Sequence, residues 1–179
     1  MPFEITRTVV DELARGRGNG RSAADELASW LHVGLAVEVS LPTEAEEVFL
    51  SLVGGSAAST IDDGEAATFA YAVATGSRPV TDDKKAIQIA RSRFPDLNVC
   101  TTSDLLLHAN CRAALGEDGL ANCIENALKR ALMRVPDEHL DRVVTLLGYE
   151  RASQCRSLPH WARQGHGITA STSPIAKAS

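Results

Sequence analysis

The sequence contains no segment that would cross a membrane. Its longest apolar run, residues 31–41, is interrupted by His32, Gly34 and Glu38, and it is shorter than the roughly 20 residues that a spanning helix needs. The N-terminus also lacks the basic stretch and apolar stretch of a secretory signal. We therefore expect a cytoplasmic protein.

The cysteines show no pattern of a disulfide framework or of a paired metal site. The chain has four of them, Cys100, Cys111, Cys123 and Cys155, with no C-x-x-C pair and no dense spacing. Disulfide-rich secreted domains and zinc ribbons need such spacings. We therefore expect free thiols, mostly buried.

Length and composition predict one substantial core. With 179 residues, of which 44% are hydrophobic and 23% charged, the chain is long enough to bury the interior of a globular domain. We expect one domain with an additional C-terminal part.

Residues 60–108 alternate between helix and strand patterns. A helix begins at Asp62 and ends before Gly76, and a short strand follows at residues 79–81. After a second helix, residues 97–101 are rich in β-forming residues, and a third helix follows them. Strands that alternate with helices predict a parallel sheet with helices on both faces, which is an α/β fold.

The N-terminal residues predict two further strands of this sheet. A short strand begins near Phe3, and the helix after it has apolar residues at Val9, Val10 and Leu13, with Glu12 toward its solvent or cleft side. Residues 35–41 are rich in Val and Leu and predict a buried parallel strand.

Acidic residues lie where these helices begin, and two interpretations of them are open. Asp62 and Glu65 have the spacing of a helix cap, and Asp82 and Asp83 suit the positive end of the next helix dipole. However, α/β proteins bind ligands at the carboxyl ends of parallel strands, where these residues are expected to lie. The same carboxylates therefore fit either a structural role or a shared site.

Three segments resemble the C-terminal half of PIN-domain proteins: GEA at residues 64–66, VTDDKKAIQIA at 80–90 and VCTTSDLLL at 99–107. A fourth, ITRTVVDEL at 5–13, resembles the second strand of that family and its following helix. The resemblance covers residues 3–108. It implies a three-layer PIN-like fold with a short parallel sheet.

The resemblance also implies an activity. Most well-understood PIN-domain proteins are metal-dependent ribonucleases, often toxins of toxin–antitoxin pairs. Glu12, Glu65 and Asp83 match the acidic residues of the family's site, and Thr81 and Asp82 flank it. By resemblance, these residues hold Mg²⁺ or Mn²⁺, which lowers the pKa of a bound water so that single-stranded RNA is hydrolysed. An antitoxin, another protein or a second copy of the chain is an expected partner.

One part of the PIN pattern has no counterpart in the sequence. In the family's strand order, 3-2-1-4-5, the central strand ends in an Asp and precedes the segment with which this chain begins. Without it, we expect either that the strands near Phe3 and Val80 pair directly or that something else fills the gap. The absent Asp leaves a second function open, a non-catalytic PIN-like module that binds or regulates a protein.

The residues after His108 do not share this resemblance. Residues 109–150 predict a helical hairpin interrupted at Pro136, which either covers the sheet or binds a partner. Residues 151–179 contain four basic residues and no acidic one. Because the whole chain has a net charge of −5, this segment is +4 and the remainder is −9. We expect a disordered basic tail that is solvated, contacts phosphates or rests on the acidic body.

Overall fold

The computed structural model describes residues 2–16 and 22–164. The chain divides into two compact units, an N-terminal unit up to Thr102 and a C-terminal unit from Ser103 onward. The sequence placed the corresponding boundary after residue 108. The difference arises because Leu107 packs into the core of the C-terminal unit.

The N-terminal unit contains both strands and helices. Its elements in chain order are β1 (Phe3–Thr6), α1 (Arg7–Arg15), α2 (Ser22–His32), β2 (Ala36–Val39), a 3-10 turn (Thr43–Ala45), α3 (Glu46–Val53), α4 (Asp63–Thr75) and α5 (Lys84–Arg93). Strands β1 and β2 pair in parallel, with Phe3 opposite Ala36 and Thr6 opposite Val39. The α/β class and the positions of both N-terminal strands are therefore confirmed. The prediction that the strand in residues 35–41 is buried is wrong, because Ala36 is the one buried residue of β2 and Val37 is 38% exposed.

A second parallel pairing joins Val80 to Cys100 as a single bridge. It confirms that residues 79–81 and 97–101 pair with each other. Within the described residues this bridge and the β1–β2 pair are separate, and β1 is bonded only to β2 in its sheet. Of the two outcomes expected for the gap, direct closure of the sheet is therefore wrong.

Helix α4 is the most buried element of the N-terminal unit. Asp62 caps it by accepting a hydrogen bond from the Glu65 N–H, and Gly76 ends it in the left-handed conformation with φ 70°. The sequence predicted both ends correctly. One face of the helix contributes Ala66 and Phe69 to an apolar core with α3 and α5, whose other buried members are Leu52, Ile61, Ala86 and Ala90.

The C-terminal unit is helical in the part that the structure describes. Short helix α6 (Thr102–Leu106) spans the boundary between the units, and α7 (Ala109–Arg130), α8 (Asp137–Ser153) and α9 (His160–Arg163) follow. Helices α7 and α8 form the predicted hairpin. Their buried residues recur at three- and four-residue spacing: Leu120, Ile124 and Leu128 on α7, and Leu140, Val143 and Leu147 on α8.

Residues 151–164 differ from the sequence prediction. They were assigned to a disordered tail, but they complete α8 and form α9. Cys155 and Leu158 are buried there with Ala152 and Ala162 in the core of the C-terminal unit. The prediction of disorder is therefore wrong for this part, because these apolar side chains are buried in the same core as those of α7 and α8. Residues 165–179 lie outside the described residues.

Two simpler expectations can be compared with the structure. All four cysteines are free, and Cys100 and Cys155 are buried whereas Cys111 and Cys123 are partly exposed. Among the helices that the structure describes, none is both long enough and apolar enough to span a bilayer.

Candidate acidic site

The first turn of α4 gathers backbone donors and acidic side chains. A helix leaves its first N–H groups without partners inside the helix, and these groups favour negative charge. The Asp62 Oδ1 accepts one of them, from Glu65, at 2.9 Å. Asp63 and Glu65 add two more carboxylates to the same turn.

Glu12 reaches this turn from α1. Its Oε1 accepts the Gly64 N–H at 3.0 Å, across 52 residues of sequence. Gly64 is buried, and a Cβ at this position would overlap the Glu12 carboxylate. The close approach therefore needs glycine at position 64, and it places Glu12 beside the residue that precedes Glu65.

Glu65 is half-buried among other charges. Burial, together with the negative charges of Asp62 and Asp83, raises the pKa of Glu65 from an ordinary value of 4.5 to about 7. A hydrogen bond from the Thr81 hydroxyl and the positive charge of Lys85 oppose this increase. The Glu65 carboxyl is thus close to half protonated at neutral pH.

Asp83 begins the next helix and faces the same cluster. As the N-cap of α5, it accepts the Ala86 N–H through Oδ1 at 2.8 Å. Its own N–H donates to the Thr81 Oγ1 at 3.1 Å. Thr81 thereby links Asp83 to Glu65, and the two carboxylates interact closely enough for one to change the pKa of the other.

Asp82 has a different partner. Its Oδ1 accepts the Thr102 N–H at 2.8 Å, which joins the end of the Val80 strand to the start of α6. Asp82 therefore connects two segments of backbone.

Glu12 lies at the first turn of α4 through its bond to Gly64, and Asp83 acts on Glu65 in the same turn. That the three carboxylates share one site stays a prediction. The sequence placed Thr81 beside the site, and the structure adds that its hydroxyl bonds to Glu65. Lys85 was not predicted as a neighbour of Glu65. No sequence pattern marks Lys85, whose ammonium donates to the Ala57 carbonyl at 2.7 Å.

The resemblance implies a bound Mg²⁺ or Mn²⁺ ion, which needs several converging oxygen ligands. Carboxylate oxygens are suitable ligands for either ion. However, Glu12, Asp82 and Asp83 each have an oxygen bonded to a backbone N–H. Within residues 2–16 and 22–164, no group of three or more His, Cys, Asp or Glu side chains is positioned to hold a metal ion. The residues as arranged do not fit such a site.

Comparison with known proteins adds no family assignment. No protein-family model matches the chain, and neither does any curated protein or solved structure.

Proposed function

We propose that this chain is a PIN-like module that acts by binding a protein partner, and that its acidic residues hold helices in place. One observation carries the proposal. Of the four residues assigned to a metal site, Glu12, Asp82 and Asp83 each accept a backbone N–H, at 3.0, 2.8 and 2.8 Å. A carboxylate that caps a helix contributes about 0.5 to 2 kcal/mol to stability, which is reason enough for its presence.

The capping bonds also connect segments that are distant in sequence. Glu12 ties α1 to the start of α4, and Asp82 ties the Val80 strand to the start of α6. Charge-assisted bonds of this kind are roughly twice as strong as neutral ones. A module that binds through a preformed surface benefits from such rigidity, because less conformational entropy is lost when it binds.

The PIN-like three-layer fold is part of the proposal. Its support is the order of elements: a strand and a helix bearing Glu12, then β2, then α4 with Glu65 in its first turn, then the strand that precedes Asp83. Both strand pairings are parallel, as such a fold requires.

A second candidate function is the ribonuclease activity that the resemblance implies, in which the chain cleaves single-stranded RNA with Mg²⁺ or Mn²⁺. In that case the chain would be a toxin that is paired with an antitoxin. The repulsion around Glu65 favours it. Asp62 and Asp83 raise the pKa of Glu65, and Lys85 is the one cation among the groups that act on this residue. Additional positive charge would relieve this repulsion, and a divalent cation is one source of such charge.

One experiment separates the two candidates. The thermal midpoint of the full chain is measured with and without Mn²⁺, and cleavage of a fluorescent single-stranded RNA is followed under the same conditions. We expect Mn²⁺ to leave the midpoint unchanged and the cleavage rate to equal that of the Glu65→Gln variant. Glu47→Gln, an exposed residue on α3, is the matched control.

The opposite result would establish the ribonuclease. In that case Mn²⁺ raises the midpoint of the natural chain and of Glu47→Gln but not of Glu65→Gln, and the first two cleave RNA. Such stabilisation by a ligand that binds the folded state follows directly from mass action.

A further inference from the structure

The turn after α7 holds a leucine in a conformation that usually belongs to glycine. Leu132 has a φ of 51°, and among the described residues it is the one residue other than glycine with a positive φ. This left-handed conformation is unfavourable for a residue with a Cβ, whereas glycine adopts it freely. Leu132 is also 65% exposed, so its side chain gains little from burial. The fold does not explain the leucine, and a contact beyond the chain is a reason for it.

The turn itself does not need the leucine side chain. The Met133 N–H donates to the Ala127 carbonyl at 3.0 Å, and the Ala131 N–H donates to the same carbonyl at 3.2 Å. Both bonds join backbone groups, and the Met133 side chain is buried in the core of the C-terminal unit. Glycine at position 132 would therefore keep these contacts and remove the strain.

Two basic segments meet near this turn. Residues 126–136 and 151–164 each contain three Lys or Arg residues and no acidic residue. The Ser157 hydroxyl donates to the Leu128 carbonyl at 3.0 Å, which holds their Cα atoms within about 8 Å of each other. Because the chain has a net charge of −5 and the two segments carry +6, the remaining residues carry −11. Positive charge is thus concentrated at one end of the C-terminal unit.

Two of these six cations share a carboxylate, and four have none. Lys129 and Arg151 both bind the Glu125 carboxylate. Acidic residues 137–138 begin α8 but form no ion pair with the two segments. In the part of the chain that the structure describes, four guanidinium groups have no carboxylate partner: Arg130, Arg134, Arg156 and Arg163. Unpaired charge of one sign attracts a ligand of the other sign.

An exposed tryptophan accompanies the unpaired arginines. Trp161 is 49% exposed, and the residue after it, Ala162, is buried in the same core as Met133. Leu132 and Trp161 therefore each adjoin a buried residue of one core. Tryptophan and arginine are the residues that most often dominate the energy of protein interfaces. We call the following set the arginine face: Arg130, Leu132, Arg134, Arg156, Trp161 and Arg163.

The chemistry of the arginine face selects a protein ligand. Arginine pairs with carboxylates and with phosphates through two parallel hydrogen bonds. Single-stranded RNA offers phosphates, and its bases stack on aromatic rings. However, RNA has no aliphatic side chain to cover Leu132, and its further phosphates would meet a chain whose remaining residues are net acidic. A peptide with Asp or Glu beside an apolar residue matches both the charge and the leucine.

We infer that the arginine face binds an acidic segment of a partner protein and packs an apolar residue of that segment against Leu132 and Trp161. Carboxylates of the segment pair with the four guanidinium groups that lack a partner within the chain. The leucine is strained in the free protein because its side chain contributes only in the complex. The inference rests on the proposed function for the class of partner, and it adds the surface and the chemistry that recognise this partner.

The test measures the fluorescence anisotropy of a labelled dodecapeptide of Glu and Leu as the full chain is added. We expect saturable binding that weakens when NaCl is added, because salt screens exposed charges. A second peptide with Gln in place of every Glu should bind at least about tenfold more weakly, because it cannot form charge-assisted hydrogen bonds with arginine.

Leu132→Gly separates binding from folding. It should raise the thermal midpoint of unfolding by about 2 to 4 °C, because glycine is not strained at this φ. It should nevertheless weaken peptide binding at least about fivefold, because an apolar contact is lost. Leu50→Gly is the matched control, since Leu50 is 63% exposed on α3. It should lower the midpoint, because glycine disfavours a helix, and leave peptide binding unchanged.

A second pair of variants tests the charge. Arg156 is exposed, so Arg156→Gln should leave the thermal midpoint unchanged and weaken peptide binding at least about fivefold, the effect of one charge-assisted pair. Arg91→Gln removes an exposed arginine from α5 and should bind the peptide like the natural chain.

The inference is overturned if the natural chain does not bind the acidic peptide at millimolar concentration. It is also overturned if Leu132→Gly lowers the midpoint, or if Leu132→Gly or Arg156→Gln binds the peptide unchanged. A single-stranded RNA dodecamer that binds more tightly than the peptide, and that Arg156→Gln weakens but Leu132→Gly does not, would assign the arginine face to nucleic acid instead.

The remaining outcomes separate this inference from others. A dimer in light scattering that Arg156→Gln dissociates would assign the arginine face to a second copy and would overturn the inference. Peptide binding together with Mn²⁺-dependent RNA cleavage would reject the proposed function alone. Absence of both would reject the arginine face alone.

Discussion

Replacing Glu65 by Gln should change how the stability of the protein depends on pH. In the folded chain the pKa of Glu65 is raised from 4.5 to about 7, chiefly by burial and further by Asp62 and Asp83. The folded state therefore holds a proton between these pH values that the unfolded state has released. Stability must fall as pH rises through this window, because the unfolded state binds fewer protons there.

The size of the effect follows from the shift. An increase from 4.5 to about 7 corresponds to about 3 kcal/mol at 1.36 kcal/mol per pH unit. Glu65 is only half-buried, and solvent screening reduces this to about 1 to 2 kcal/mol. The loss begins near pH 4.5 and is complete a little above pH 7. Glutamine stays neutral and its amide oxygen can accept the same hydrogen bond from Thr81, so it should remove the loss.

The measurement is urea denaturation followed by circular dichroism at pH 5 and pH 8. We expect Glu65→Gln to match the natural chain at pH 5 and to exceed its free energy of unfolding by about 1 to 2 kcal/mol at pH 8. Glu47→Gln should leave the difference between the two pH values as it is in the natural chain. If Glu65→Gln is less stable than the natural chain at pH 8, the carboxylate is stabilising there and the reasoning is refuted.

Further expectations concern the same turn and the core beneath it. Glu12→Ala should lower the free energy of unfolding by about 1 to 2 kcal/mol through loss of its bond to Gly64; no loss in urea denaturation would exclude a capping role. Gly64→Ala should destabilise the natural chain by displacing Glu12 but stabilise the Glu12→Ala chain by about 0.5 to 1 kcal/mol, the helix preference of alanine. Additive effects in this double-mutant cycle would contradict the contact. Phe69→Ala should cost about 3 to 5 kcal/mol in the same assay, and a cost below 1 kcal/mol would contradict its place in the core.

Local signals in the sequence were sufficient for the ends of α4. The start of the helix is encoded by an Asp with a Glu three residues later. Its end is encoded by a Gly at the point where the apolar pattern stops. The structure confirms Asp62 as the N-cap and Gly76 as the left-handed end. Such features depend on short-range sterics and hydrogen bonds, which remain similar in different folds.

The bond between Glu12 and Gly64 could not be predicted in this way. It joins residues 52 positions apart and depends on how α1 packs against α4. The sequence shows a glycine in the first turn of a helix, but not that a glutamate from another helix occupies the space of its missing side chain. Packing between elements decides this, and a pattern along one chain does not contain it.

Composition misled the prediction for residues 151–164. Basic, Ser-rich segments usually cannot bury enough apolar surface to fold, and the segment from residue 151 onward has that average composition. Cys155 and Leu158 are nevertheless buried against α7 and α8. An average over 29 residues conceals a short apolar motif when polar residues follow it, so the segment needed to be assessed by periodicity in a shorter window.

Capping and metal binding are difficult to separate by sequence because both need a carboxylate at the start of a helix. The directions of the carboxylate oxygens distinguish the two roles, whereas the number of acceptor sites does not. A carboxylate has two oxygens with about four lone-pair sites, so one bond to an N–H does not exclude a cation at the other oxygen. What a cation needs in addition is convergence of the remaining oxygens. Here Glu12 is directed to Gly64, Asp82 to Thr102 and Asp83 to Ala86. These three carboxylates bond to three different backbone segments and therefore stabilise the fold at three points. The directions of the carboxylates favour the structural role, and no sequence pattern encodes those directions.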